Sequence, residues 1–197
     1  SPHRIVASCA FGMLLVGCAG SVTSGRAEVR AHASLNYTLR VDRSITTLEE
    51  SICWNANGPE TLRTSASDGI HALRSISSAS GKPVRHNGNL LDLTALEDAD
   101  CVLLTIELSG LADRRVLNPP SGEIPPSVWL PTDAWLWFDD DDARRSHGTV
   151  RWSLPDGVDV ATPWATDDDG VSHIRREDFD WKTIIAIGDL EHRTFRF

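Results

Sequence analysis

The sequence predicts an all-β protein, an antiparallel β-sandwich of roughly nine to twelve short strands with little helix. Short runs in which apolar and polar residues alternate recur about every 10 to 15 residues, a spacing typical of strands. Turn-forming residues, among them Asn87-Gly88-Asn89 and Pro155-Asp156-Gly157, separate these runs. No segment keeps the apolar period of a long helix. Two packed antiparallel sheets, with tryptophan and aliphatic side chains between them, explain this pattern best.

Length and charge limit the classes of function. The 197 residues are enough for one domain with a substantial core. The 28 acidic and 19 basic side chains give a net charge of −9. No segment supplies the basic face that phosphate neutralisation requires, so the sequence argues against a nucleic-acid partner.

The first residues have the layout of a secretory signal. Arg4 precedes an apolar run over residues 5–16, and small residues follow. The run is too short for a stable membrane-spanning helix, so we interpret residues 1–17 as a signal peptide. Residues 18–34 are small and polar and predict a flexible tether, and residues 35–197 form the predicted β-sandwich domain.

The end of the apolar run, Leu15-Val16-Gly17-Cys18, resembles the lipobox of bacterial lipoproteins. The resemblance implies cleavage before Cys18 and lipidation of its sulfur, with the membrane as a partner through the lipid anchor. No aspartate directly follows Cys18, which implies a periplasm-facing protein of the bacterial cell envelope, at the outer membrane. The alternative is an ordinary cleaved signal in which Cys18 has no role.

Two further cysteines, Cys53 and Cys101, each lie on a predicted strand. In an oxidising periplasm they could form a disulfide, whose closed loop of about 50 residues would contribute roughly 4 kcal/mol. Two buried free thiols are an equal alternative.

The first predicted strand of the domain is "LNYTLRVD", in which Leu35, Tyr37, Leu39 and Val41 alternate with polar residues. A hairpin is predicted further along the chain. Its first arm is residues 129–138, its charged tip is residues 139–148, and "TVRW" is the returning strand.

No catalytic or metal-binding motif is recognisable. The sequence has neither the HExxH nor the CxxC spacing of zinc sites, and no GxSxG nucleophile motif. Asp139 to Asp142 could bind calcium, but consecutive carboxylates seldom converge, and Arg144 and Arg145 follow closely. A solvated tip is the preferred interpretation. A calcium site becomes credible only if the tip meets the Asp167–Asp169 turn.

The tryptophans offer a candidate contact surface. We predict that Trp152 packs in the core, because it lies between Val150 and Leu154 on an apolar strand face. Trp129, Trp135 and Trp137 are candidates for contact with a ligand or with another domain. The alternation places Trp135 and Trp137 on one strand face with Asp133 and Asp139, which is compatible with an exposed tryptophan in this group.

The domain also resembles a known family. The resemblance is carried, in order, by "YTLRVD", "GIHALRSISSASGKPV", "DCVLLTIELSG", "VWLPTDAWLWF", "VRWSLPDGVDVATPW" and "DFDWKTIIAIGDLEHRTFRF". These phrases are similar in order and texture to the non-catalytic N-terminal β-domain of glycyl aminopeptidase-type zinc metallopeptidases, which are relatives of aminopeptidase N.

The resemblance implies a module without chemistry of its own, in the N-terminal portion of a longer protein. That family carries zinc in a later HExxH helix, so no cofactor is expected in this chain and a C-terminal catalytic domain is its expected partner. A stand-alone periplasmic lipoprotein that binds peptide or glycan is the alternative. An independent hydrolase has the weakest support, because no nucleophile or metal constellation is visible.

Overall fold

The protein is an all-β sandwich. The computed structural model describes residues 34–55, 58–65, 68–97, 99–111, 127–139, 147–175, 178 and 183–190. The predicted signal peptide, the predicted tether up to residue 33, Cys18 and Asp140 to Asp142 lie outside these residues. Within the described ranges, no helix is long and apolar enough to cross a membrane.

Fourteen strands are present in these residues, more than the nine to twelve expected, because several ladders are only two or three residues long. In chain order the strands are β1 (Leu35–Val41), β2 (Thr47–Cys53), β3 (Thr61–Arg63), β4 (Leu73–Ser78), β5 (Arg85–Asn87), β6 (Leu90–Asp92), β7 (Cys101–Glu107), β8 (Val128–Pro131), β9 (Phe138–Asp139), β10 (His147–Ser153), β11 (Asp159–Ala161), β12 (Ala165–Thr166), β13 (Val171–Arg175) and β14 (Ile184–Gly188). The helical elements are short, namely α1 (Asp68–Ala72), α2 (Leu108–Leu111) and a 3-10 turn (Thr132–Ala134).

The strands form three sheets. The largest has seven strands in the order β12-β13-β10-β1-β2-β7-β4, one sheet has three strands in the order β11-β14-β8, and one has four in the order β5-β6-β3-β9. All pairs are antiparallel except β1 and β10, which run parallel. The sequence prediction of a purely antiparallel sandwich did not include this parallel pair.

One hydrophobic core joins the three sheets. The predicted alternation of β1 is confirmed, because Leu35, Tyr37, Leu39 and Val41 are all buried while Thr38 and Arg40 are exposed. Buried residues of the two smaller sheets belong to the same cluster. The inward side of the seven-stranded sheet is therefore covered, and its outward side is largely polar.

The predicted hairpin over residues 129–152 is wrong. β9 pairs with β3 in the four-stranded sheet, whereas β10 pairs with β1 and β13 in the seven-stranded sheet. The chain therefore crosses from one sheet to another between Asp139 and His147. The two segments have similar apolar patterns, and each can bury its apolar face in the core without pairing with the other.

The predicted turns at two glycines are confirmed. Gly157 has φ 78° and Gly170 has φ 73°, in the left-handed region that favours glycine. The second turn returns the chain from β12 to β13, and Gly170 N–H donates to Asp167 O at 3.1 Å.

Candidate functional site

Of the three candidate contact tryptophans, only Trp129 is exposed. Its side chain is on the outward face of β8, and 48% of the residue is accessible to solvent. It lies opposite Ala186 of β14. Trp129 is therefore available for contact with a ligand or a partner.

Trp135 and Trp137 are fully buried, which corrects the expectation that they help to form an exposed aromatic surface. The reason is local. After Pro131 the chain makes the 3-10 turn, in which Trp135 N–H donates to Thr132 O at 3.3 Å, so the alternation of β8 does not continue. Trp135 packs against Trp152 with ring centroids 6.1 Å apart. Trp152 itself is partly buried against the core, as predicted.

A second feature, absent from the sequence prediction, is a buried polar cluster of Tyr37, Glu50 and the Trp137 backbone. Tyr37 Oη donates a hydrogen bond to the Trp137 carbonyl oxygen at 2.7 Å. Glu50 lies between Leu48 and Ile52 on the inward face of β2 and is almost fully buried. Within the described part of the chain, neither carboxylate oxygen of Glu50 has a hydrogen-bond partner of normal geometry.

Burial controls the ionisation of this cluster. It raises the pKa of the Glu50 carboxyl well above its usual range, and the nearby backbone N–H of Trp137 opposes the rise only in part. Burial also raises the pKa of Tyr37, with further contributions from the negative charges of Glu50 and Asp139. Both groups therefore favour their neutral forms, as expected for acids that are removed from water.

The sequence contained a signal for Glu50. In "TLEESIC" the even-numbered positions 48, 50 and 52 carry leucine, glutamate and isoleucine, so the alternation of the strand places one carboxyl among inward residues. The bond from Tyr37 to Trp137 had no such signal, because its partners are 100 residues apart in sequence.

Cys53 and Cys101 are joined by a disulfide, so the structure contains the bridged alternative rather than two free thiols. The two residues face each other directly at the ends of β2 and β7. Both are half-buried. The bridge fastens two central strands of the seven-stranded sheet.

The acidic turn at Asp167 is a structural turn. The Asp167 carboxylate accepts the backbone N–H groups of Asp169 at 3.0 Å and Val171 at 2.9 Å. The Val171 bond is the strongest influence that lowers the pKa of Asp167, and His173 adds to it. Across the described ranges, no three His, Cys, Asp or Glu side chains converge to hold a metal ion. The calcium alternative depends on Asp140 to Asp142 and stays a prediction.

An open groove of about 470 Å³ lies between the ends of β1, β2 and β10. Arg40, Asp42, Arg43 and Glu49 line it with charges of both signs. The Asp42 carboxylate accepts hydrogen bonds from Ser44, Thr46 and Thr47, which lower its pKa to about 2 against the opposing effect of burial. Asp42 thus caps the turn between β1 and β2.

Comparison with known proteins shows that this fold occurs in a solved structure. The sequence matches no protein-family profile and no curated protein. The structure matches an aminopeptidase N family protein from Idiomarina loihiensis with a TM-score of 0.60 and 12% sequence identity. The match covers 82% of this chain and 30% of that chain. The two share a fold.

Two other solved structures give weaker matches. Leukotriene A4 hydrolase from Saccharomyces cerevisiae matches with a TM-score of 0.43 and 12% identity, over 80% of this chain and 29% of that chain. A variant M1 zinc metallopeptidase from Deinococcus radiodurans matches with a TM-score of 0.45 and 14% identity, over 83% of this chain and 43% of that chain.

This chain spans only about a third of the length of the aminopeptidase N family protein that it matches. Among the described residues, no His, Cys, Asp and Glu side chains form a group with the ligands that a zinc site requires.

Proposed function

We propose that this chain is the non-catalytic β-sandwich module of a lipid-anchored cell-envelope protein, forming the N-terminal portion of a zinc metallopeptidase-like protein. The observation that carries the proposal is the partial match in fold. Most of this chain corresponds to under a third of an aminopeptidase N family protein. In this proposal the catalytic zinc belongs to a separate domain, and the module shapes access to it.

The gene that encodes the chain provides the test. We expect its reading frame to continue past Phe197 and to encode an HExxH helix within a few hundred residues. The longer product should hydrolyse aminoacyl-nitroanilides in a chelator-sensitive manner, whereas the 197-residue chain should not. A stop codon immediately after Phe197 would refute the proposal.

The lipid anchor is tested separately at Cys18. Radiolabelled palmitate should enter the protein in a bacterial host and should be lost when Cys18 is replaced by serine. Cys9→Ser is the matched control, because Cys9 lies inside the apolar run and the proposal gives it no lipid. Equal labelling of the Cys18→Ser variant and the parent would exclude an anchor at this residue.

A further inference from the structure

The outward face of the three-stranded sheet is mainly apolar, with Asp159 at one end of it, on β11 opposite Gly188. Trp129, Ala186 and Ala161 lie opposite one another in one row across β8, β14 and β11. Ile184 and Pro131 form the adjacent row. Side chains directly opposite on antiparallel strands share a face, as do residues two apart on one strand. We call these five residues the outer apolar face.

The exposure of this face is unusual within the described structure. Among the described residues, three large apolar side chains are exposed, namely Ile184 at 50%, Trp129 at 48% and Leu103 at 40%. Two of them belong to the outer apolar face. Leu103 instead stands on the outward side of the seven-stranded sheet, directly between Ser51 and Ser77. A solitary exposed leucine is common on protein surfaces, whereas adjoining apolar residues indicate a contact surface.

The opposite face of the same sheet is already occupied. Leu130, Ile185 and Ile187 point into the hydrophobic core and are fully buried. A sheet that is apolar on both faces is typical of a middle layer, with a packed element on each side. Within the described residues, only one of these two layers is present.

We infer that the outer apolar face is the surface on which the peptidase-type domain of the parent protein packs. This inference rests on the proposed function, which places that domain after Phe197. β14 is the central strand of the sheet, and Phe197 is nine residues beyond its last residue, Gly188. Nine extended residues span at most about 30 Å, so the following domain begins within reach of the face.

The chemistry of the face also selects its occupant. The two rows present an indole, an isoleucine, a proline and two alanines, in which only the indole N–H forms hydrogen bonds. One carboxylate, Asp159, stands at the edge of the same face, two residues before Ala161 on β11. A sugar or an extended peptide needs several polar partners to compensate for its lost water. A second apolar protein surface needs none. The occupant is therefore a folded domain with an apolar surface.

The test compares a face variant with a matched control in the parent protein. The face variant carries Trp129→Ser and Ile184→Thr, and the control carries Leu103→Thr, which removes a similarly exposed side chain from the other sheet. We expect the parent and the control to unfold in one transition. The face variant should unfold in two and be cleaved by trypsin between the domains at least tenfold faster. In the 197-residue chain, the face variant should be as stable as the control.

The possible outcomes separate the inference from the function on which it rests. If the parent protein contains a peptidase domain and the face variant behaves like the Leu103→Thr control, the docking inference is wrong and the proposed function stands. If the reading frame encodes no such domain, both fail. If the 197-residue chain forms a dimer that the face variant dissolves in sedimentation experiments, a second copy is the occupant, and the inference is again overturned.

Discussion

The most informative single residue of this domain is a buried glutamate. Glu50 occupies an inward position between two aliphatic residues of a central strand, close to the Tyr37 hydroxyl and the Trp137 backbone. A leucine there would be easier to bury, since a carboxyl gives up its hydration. The cost is smallest when the group is neutral, so the stability of the domain is coupled to the protonation of Glu50.

The coupling predicts a pH dependence. Burial raises the pKa of Glu50 in the folded state above its ordinary 4.5. The folded domain is therefore most stable with respect to this group below pH 4.5, where Glu50 is neutral. Its unfolding free energy falls as pH rises towards the folded-state pKa. Each pH unit in that window costs about 1.4 kcal/mol. Glu50→Gln removes the titration, so the unfolding free energy of this variant in urea should rise relative to that of the parent as pH increases above 4.5.

The matched control for this prediction is Glu49→Gln, one residue away on the exposed face of β2. The Glu49 side chain is 60% exposed and lies near Arg40. Glu49→Gln should follow the parent across the same pH range. A Glu50→Gln variant whose stability runs parallel to that of the parent would show that the carboxyl is not neutral in the core.

At the scale of elements, the faces of the strands were predictable and their partners were not. The alternation in "LNYTLRV" is enough to assign the buried side of β1, because one face of the sheet packs against the hydrophobic core and the other faces solvent. The partners of β9 and β10 depend on which inward positions the whole core leaves open, and sequence spacing carries no such information. Trp135 and Trp137 were misplaced because a three-residue 3-10 turn interrupts the alternation that placed them outward.

A glycine in β10 tests the importance of the parallel pair. A Cβ atom at Gly148 would lie 2.5 Å from the Leu35 carbonyl oxygen and 3.0 Å from the Tyr37 ring. The backbone of β1 cannot yield without disturbing its pairing with β2, so Gly148→Ala should destabilise the domain by roughly 1–3 kcal/mol. Ser153→Ala, at an exposed position of the same strand, should change the unfolding free energy by no more than about 0.5 kcal/mol. Equal effects of the two substitutions in chemical denaturation would contradict this account.

At the scale of the whole molecule, the disulfide acts mainly on the unfolded chain. Cys53 and Cys101 are separated by 48 residues in sequence. In the chain-entropy model, closing a loop of that length stabilises the folded state by about 4 kcal/mol. Replacing both cysteines with alanine should lower the unfolding free energy by that amount, and dithiothreitol should then have no further effect. An unchanged unfolding midpoint in the variant would contradict the prediction.

The general class of the molecule was predictable because strand spacing, turns and the absence of helical periods all agree. The candidate contact surface was predictable only in part. Trp129 was among the three tryptophans singled out, but Ile184 and Ala186 were not. Their membership of one face follows from the pairing of β14 with β8, a contact between segments more than 50 residues apart.

The parallel pair also has a consequence for how the chain is made. β1, β2, β7 and β4 come from the first part of the domain and pair with one another, while β10, β13 and β12 come from the last part. Thr149 Oγ1 donates to Asn36 Oδ1 across 113 residues of chain, at the junction of these two halves. During synthesis, one edge of β1 has no pairing partner until β10 leaves the ribosome. Until then it is an open template for pairing with other nascent chains, so a factor that shields strand edges should raise the yield of folded protein.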